Sequence, residues 1–185
     1  GIWCVPRFSN PTGCVYSEAT LARLAALPKL AQSDFLIMYD NAYAVHALTA
    51  DAPALGNIRE HAIAAGTLNN IVQFGSTSKI TFAGAGVAFL STSKSNLAAF
   101  KQHLGFQTIG PDKVNQLRHV AFFKDHSGLM AHMGRHADIM KPRFDAVLST
   151  LEAQLGGTGM GTWISPEGGY FVSFETRPGL AKAVI

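Results

Sequence analysis

Three short polar stretches carry the side chains with the widest chemical reach, and each follows an apolar run. Ser9-Asn10-Pro11-Thr12-Gly13 comes after Ile2-Trp3-Cys4-Val5, Asp40-Asn41-Ala42-Tyr43 after Phe35 to Tyr39, and Gly75-Ser76-Thr77-Ser78-Lys79 after Ile71 to Phe74. Together they supply an amide, a carboxylate, a phenol, several hydroxyls and one amine. A lysine in a partly desolvated site can shed its proton and attack a carbonyl carbon. A carboxylate in a medium of low dielectric favours a cation beside it, and hydroxyls with backbone N–H groups hold phosphate. Such a set suits a charged heteroaromatic cofactor.

Those stretches converge only if the apolar runs lie side by side as strands. The pattern from Ile2 to Leu104 alternates short apolar runs with helical periods: Ser17 to Ala31, Asn57 to Ala65, and about Ser93 to Leu104, with a further strand at Gly86 to Leu90. This alternation predicts an α/β layer with a mostly parallel sheet flanked by helices on both faces. In such a sheet, ligands bind beyond the carboxyl ends of the strands, where the three polar stretches fall. From Pro111 the pattern is helical, Asp112 to Lys124 and then about Ser127 to Leu155, with Pro142 as a kink point. A Gly-rich stretch, Gly156 to Gly161, and a strand from Tyr170 to Phe174 follow. We therefore expect a large domain over residues 1–130, and over 131–185 an interdomain helix with the start of a smaller α+β domain.

Composition narrows the classes. With 185 residues, 48% hydrophobic and 15% charged, the chain is globular. A net charge of +3 comes from scattered basic residues, so no row of phosphates is matched and nucleic acid is not an expected partner. No apolar stretch is long enough to span a bilayer. Cys4 and Cys14 form neither a disulfide framework nor a metal spacing, and are expected as buried thiols in a reducing, cytoplasmic compartment. The chain starts without Met inside an apparent strand and ends at Ile185 within a helical pattern, so it reads as a fragment.

The polar stretches, with Pro166-Glu167-Gly168-Gly169-Tyr170-Phe171, resemble the fold-type I pyridoxal-phosphate enzymes, specifically the class I aminotransferases related to aspartate aminotransferase. The order and spacing carry the resemblance, 30 residues from Asn10 to Asp40 and 36 from Tyr43 to Lys79. The resemblance implies pyridoxal 5'-phosphate as cofactor and Lys79 as its Schiff-base lysine and proton shuttle. It also implies that Asp40 pairs with the pyridine nitrogen, that Asn10 and Tyr43 donate to the phenolate oxygen, and that Ser76 and Ser78 hold the phosphate. An amino acid such as aspartate and a 2-oxo acid such as 2-oxoglutarate are the implied substrates, and a homodimer the implied assembly. The wording around the motifs is similar to a divergent bacterial branch of the aspartate aminotransferases. One departure stands out: the family's phosphate-clamping arginine, eight residues after the lysine, is Val87 here. The family's α-carboxylate arginine would lie farther along, and Arg177 is at no matching motif.

Two other chemistries share the constellation, a pyridoxal-phosphate lyase or synthase and the non-catalytic aminotransferase-like sensor domain of transcription regulators. Ser76-x-x-Lys79 also matches the nucleophile motif of penicillin-binding proteins, but the Ser-Asp-Asn and Lys-Thr-Gly elements that family needs are missing from this sequence. His132 and His136, four apart, lack the Glu of a zinc hydrolase and are expected on a solvated helix face, with no metal.

Overall fold

The computed structural model describes residues 1–184; Ile185, the end point of the fragment reading, lies outside the described residues. Strands β1 (Ile2–Cys4), β2 (Ile37–Asp40), β3 (Ile71–Ser76) and β4 (Ala88–Ser91) form a four-stranded sheet in that order. The first three are parallel, with Ile2 opposite Ile37 and Ile37 opposite Ile71. β4 returns antiparallel, Gln73 facing Ser91 and Ser76 facing Ala88. The crossovers carry helices α1 (Glu18–Ala26) and α2 (Ile58–Ala65), and a 3-10 turn at Leu27–Leu30 completes the predicted Ser17 to Ala31 segment. Then come α3 (Lys94–Gln107), α4 (Lys113–Phe123), the 30-residue α5 (His126–Leu155), an antiparallel pair β5 (Gly161–Trp163) and β6 (Phe174–Thr176), and α6 (Ala181–Val184).

Each helix from α1 to α5 begins where a short polar side chain accepts from a first-turn N–H. The caps are Ser17, Asn57, Ser93, Asp112 and Asp125, and each stabilises its helix start by about 1 kcal/mol. α2 ends at Gly66, whose φ of 67° is the left-handed stop that glycine allows. α5 runs through Pro142 without interruption.

The core lies on one face of the sheet, where Cys4, Ile37, Tyr39 and Ile71 pack against Leu21 and Ala25 of α1 and Ile58 and Ala62 of α2. The sheet is mostly parallel and flanked by helices, as expected. On the opposite face Val72 is buried, and toward β1 Trp3 stacks on Phe74, ring centroids 5.2 Å apart and planes nearly parallel, with Trp3 59% exposed. The apolar runs are two-sided, and the end of this face near Trp3 is the more open part.

Two further expectations are corrected. Cys4 is buried, but Cys14 is exposed, its Sγ 3.0 Å from Ser9 Oγ on the turn after β1. Burial, with the nearby Asp40 charge, pushes the Cys4 thiol up to about 11. Iodoacetamide at neutral pH should therefore label Cys14 and leave Cys4 untouched until the fold is opened; equal labelling of both, read by peptide mass, contradicts this. The strand predicted at Tyr170 to Phe174 forms only at Phe174–Thr176. Before it, Gly169 takes φ 79° and the backbone turns across Phe8, so Tyr170 leaves the strand path.

Candidate active site

The carboxyl ends of β1, β2 and β3 are neighbours, and their loops are tied together by backbone bonds. Asp40 is the last residue of β2, opposite Phe74 of β3, and Asn41 N–H donates to the Phe74 carbonyl at 3.0 Å. The loop after β2 is pinned from β1's side: the Arg7 guanidinium, stacked over Phe8, donates to the Ala44 and Pro53 carbonyls. Tyr43 is thereby buried, 3% exposed, with its ring beneath the lysine. Lys79 Nζ stands 5.1 Å from the centroid of that ring, within cation–π range, while the residue itself is exposed.

Asp40 is half-buried, and one oxygen accepts from Trp3 Nε1 at 3.3 Å. Its charge is felt nearby: burial raises the Tyr43 phenol, and Asp40 raises it further. Ser76 ends β3, and its Oγ accepts from Ser78 N–H at 3.4 Å; Ser78 is exposed. Asn10 is exposed on the turn after β1, beside Gly13, whose Cα packs so tightly on Pro166 that a Cβ would lie 2.6 Å from the proline's. The structure thus brings Asp40, Tyr43, Ser76 and Lys79 to one edge, with Asn10 on the adjoining strand end. A cleft of about 240 Å³ opens there between Asn41, Ala42, Phe74, Gly75 and Ser76. A larger cavity, about 630 Å³, lies behind the lysine loop among Phe82, His119, Phe122 and His132.

The chemistry of this donor set fits an aldehyde cofactor with a basic ring nitrogen and a phosphate. It offers a primary amine, a carboxylate for a protonated nitrogen, a phenol for a ring oxygen and two hydroxyls for phosphate. Val87 adds nothing to the phosphate side, because its N–H donates to Thr77 Oγ1 at 2.8 Å and its carbonyl accepts from Thr77 N–H at 2.9 Å. Thr77 Oγ1 then donates to His119 Nε2 at 2.8 Å, since His119 Nδ1 must donate to the Asn115 carbonyl. Among the described residues no cluster of His, Cys, Asp or Glu could hold a metal.

Sequence reasoning missed a set of histidine and tyrosine contacts to the lysine segment. His46 Nε2 and Tyr170 Oη both lie against the Lys79 carbonyl, at 3.1 and 3.0 Å, and His132 Nε2 donates to the Ile80 carbonyl at 2.8 Å. His132 and His136 are consequently half-buried, packed together at 4.7 Å, rather than on a solvated face. Their four-residue spacing was the available signal, and it pointed inward.

His46, 5% exposed, must be neutral to fit. Burial depresses its pKa below the ordinary 6.5, and His136 and Lys79 depress it further, against the pull of the Lys79 and Tyr43 backbone groups. The unfolded chain takes up this proton near pH 6.5 while the folded chain does not. Stability from this site is therefore complete above that pH and declines as the pH falls toward the lower folded value, by at most about 1.4 kcal/mol per pH unit. Thermal unfolding should show His46→Gln flattening the decline below pH 6.5; an unchanged slope contradicts the assignment.

A family profile described as aspartate amino-transferase matches residues 1–185. The chain is 46% identical over 184 residues to an aspartate aminotransferase of Corynebacterium glutamicum, all of this chain and 42% of that protein. It is 49% identical over 185 residues to a protein described as an aminotransferase in Mycolicibacterium smegmatis, all of this chain and 43% of that one. A crystal structure of an aspartate transaminase from Corynebacterium glutamicum superposes with a TM-score of 0.89 at 45% identity, over 97% of this chain and 42% of the other. The chain therefore spans less than half the length of the relatives it matches. With the profile matching from the first residue to the last, the chain belongs to the aspartate aminotransferase family.

Proposed function

We propose that the protein containing this chain is a transaminase that carries pyridoxal 5'-phosphate on Lys79. It would move an amino group from an amino acid to a 2-oxo acid. The observation that carries the reading is the placement of an amine and a carboxylate around one buried phenol: Lys79 Nζ over the Tyr43 ring, and Asp40 close enough to raise the Tyr43 pKa. An α-aminoadipate aminotransferase from Thermus thermophilus, complexed with N-(5'-phosphopyridoxyl)-L-leucine, shares the fold at a TM-score of 0.78.

When bound, the cofactor supplies an aldehyde and an electron-withdrawing ring. Lys79 Nζ would hold the aldehyde end, and as a free amine it would accept a proton from the substrate and return it. Asp40 keeps a proton on the ring nitrogen, because a charge pair in low dielectric favours both ionised partners. Asn10 and Tyr43 donate to the ring oxygen, and Ser76 and Ser78 to the phosphate.

Aspartate is the favoured donor, supported by the name of the Corynebacterium glutamicum relative, and 2-oxoglutarate is the acceptor that the family resemblance implies. We place the large domain at 1–130 and the interdomain helix with the small domain's start at 131–185. A homodimer in the cytoplasm is the proposed setting. The exposed apolar row Val114, Leu117 and Val120 on α4 supports a second subunit, and no described helix is long and apolar enough to cross a membrane.

The test uses the full-length protein loaded with pyridoxal phosphate. Borohydride should fix the cofactor to the peptide containing Lys79, and aspartate should convert the unreduced protein to its pyridoxamine form. A label on another lysine, or no label, overturns the reading.

A further inference from the structure

The residues after β3 form one helical turn, in which Ile80 N–H and Thr81 N–H both donate to the Thr77 carbonyl at 2.9 Å. The helix then stops, so the Lys79 and Ile80 carbonyls have no partner in their own segment. Such orphan groups need donors from elsewhere. Three side chains from three distant elements supply them: His46 from the loop after β2, Tyr170 from the Gly-rich turn, and His132 from α5. A carbonyl only accepts, so His46 carries its proton on Nε2, and Nδ1 has no hydrogen-bond partner among the described residues.

The donors are also built into the surface beneath the lysine's side chain. The His46 ring packs edge-on against Tyr43 at 5.6 Å and against Tyr170 at 5.3 Å, and Tyr43 meets Tyr170 at 6.1 Å. One aromatic cluster therefore grips the lysine's backbone through two hydrogen bonds and supports its ammonium on a ring face. Tyr170 is held in turn by the approach of Gly168 and Gly169 to Phe8 and by the bond from Gly169 N–H to the His46 carbonyl at 2.9 Å.

We infer that His46 and Tyr170 are positioning residues for Lys79, fixing its carbonyl so that Nζ is aimed at the carbon it must attack. The inference rests on the proposed function. It adds that the lysine's reach is set by a histidine and by a tyrosine 91 residues away in sequence. Without these bonds the turn carrying Lys79 samples other orientations, and the attack slows in proportion to the time spent misaligned.

The experiment uses cofactor-free full-length protein and two probes. Pyridoxal phosphate reports covalent attachment through its borohydride-trapped rate. Pyridoxamine phosphate, which has no aldehyde, reports cofactor binding that does not need the amine. Tyr170→Phe removes one hydroxyl and should slow attachment about fivefold, the factor of one ordinary hydrogen bond. His46→Phe should slow it by at least as much, and His46→Gln, whose amide reaches the same carbonyl, should recover most of the rate. Pyridoxamine phosphate affinity should stay within about twofold of wild type for all three, as expected when only the amine's aim is altered. Wild-type attachment rates in both Tyr170→Phe and His46→Phe overturn the inference. So does a parallel loss of pyridoxamine phosphate affinity, or His46→Gln behaving like His46→Phe, since either marks a role in folding alone. If wild type itself fails to attach the cofactor, the proposed function falls, and this inference with it.

Discussion

Lys79→Ala should lower the rate of amino transfer in the full-length protein by at least about a thousandfold, because the residue supplies both the covalent anchor and the proton carrier. Lys79→Arg should do no better: a guanidinium does not give up its proton in a protein, so it serves as neither nucleophile nor base. The fold should scarcely notice. Lys79 is exposed, and its ammonium makes one cation–π contact with Tyr43, worth about 0.5–1 kcal/mol in such a setting. Single-turnover conversion with an amino acid measures the first effect and thermal unfolding the second. A variant that retains more than a tenth of the wild-type rate would remove Lys79 from the chemistry; one that unfolds would make its role structural.

The second large effect is expected at Asp40. Asp40→Asn keeps the size and the ability to accept from Trp3 Nε1, but removes the charge. If that charge keeps a proton on the cofactor's ring nitrogen, its loss should cost about a hundred- to a thousandfold in rate, the scale of one preorganised electrostatic partner. An independent signature exists in the protein itself. Asp40 raises the pKa of both Cys4 and Tyr43, although burial is the larger cause at each. In Asp40→Asn both groups should titrate lower, by an amount smaller than burial alone maintains. An unchanged rate together with shifted Cys4 and Tyr43 titrations would show that the charge is present but has no part in the reaction.

The alternation of short apolar runs and helical periods was enough to read the parallel strands β1 to β3 and their crossovers, because each strand is a continuous apolar stretch bounded by turn residues. The residues at the strand ends could be read for the same reason: topology alone sends them to one edge. The sequence was silent where partners are remote. Gly168 and Gly169 are the local sign that Tyr170 leaves the strand path, but their docking on Phe8 and the tyrosine's hydroxyl partner 91 residues away are not legible nearby. His46 sits between alanine and valine neighbours with no spacing signal, and its bond to the Lys79 carbonyl spans 33 residues. Cys14 lies in a turn whose exposure depends on how Gly13 docks against Pro166.

The bonds between Thr77 and Val87 bear on how much change the lysine loop can absorb. They close a ten-residue excursion at its base, with the threonine hydroxyl and both backbone groups of Val87 engaged. Phe82, Ala83 and Gly84, at the far end, are exposed. Lengthening a closed loop is cheap, about 0.6 kcal/mol for each doubling, and the clasp at 77 and 87 isolates the turn carrying Lys79 from whatever is added beyond it. The position that lacks an arginine thus makes the loop's tip a permissive insertion point, a place to graft a reporter peptide within a few residues of the lysine without altering its aim.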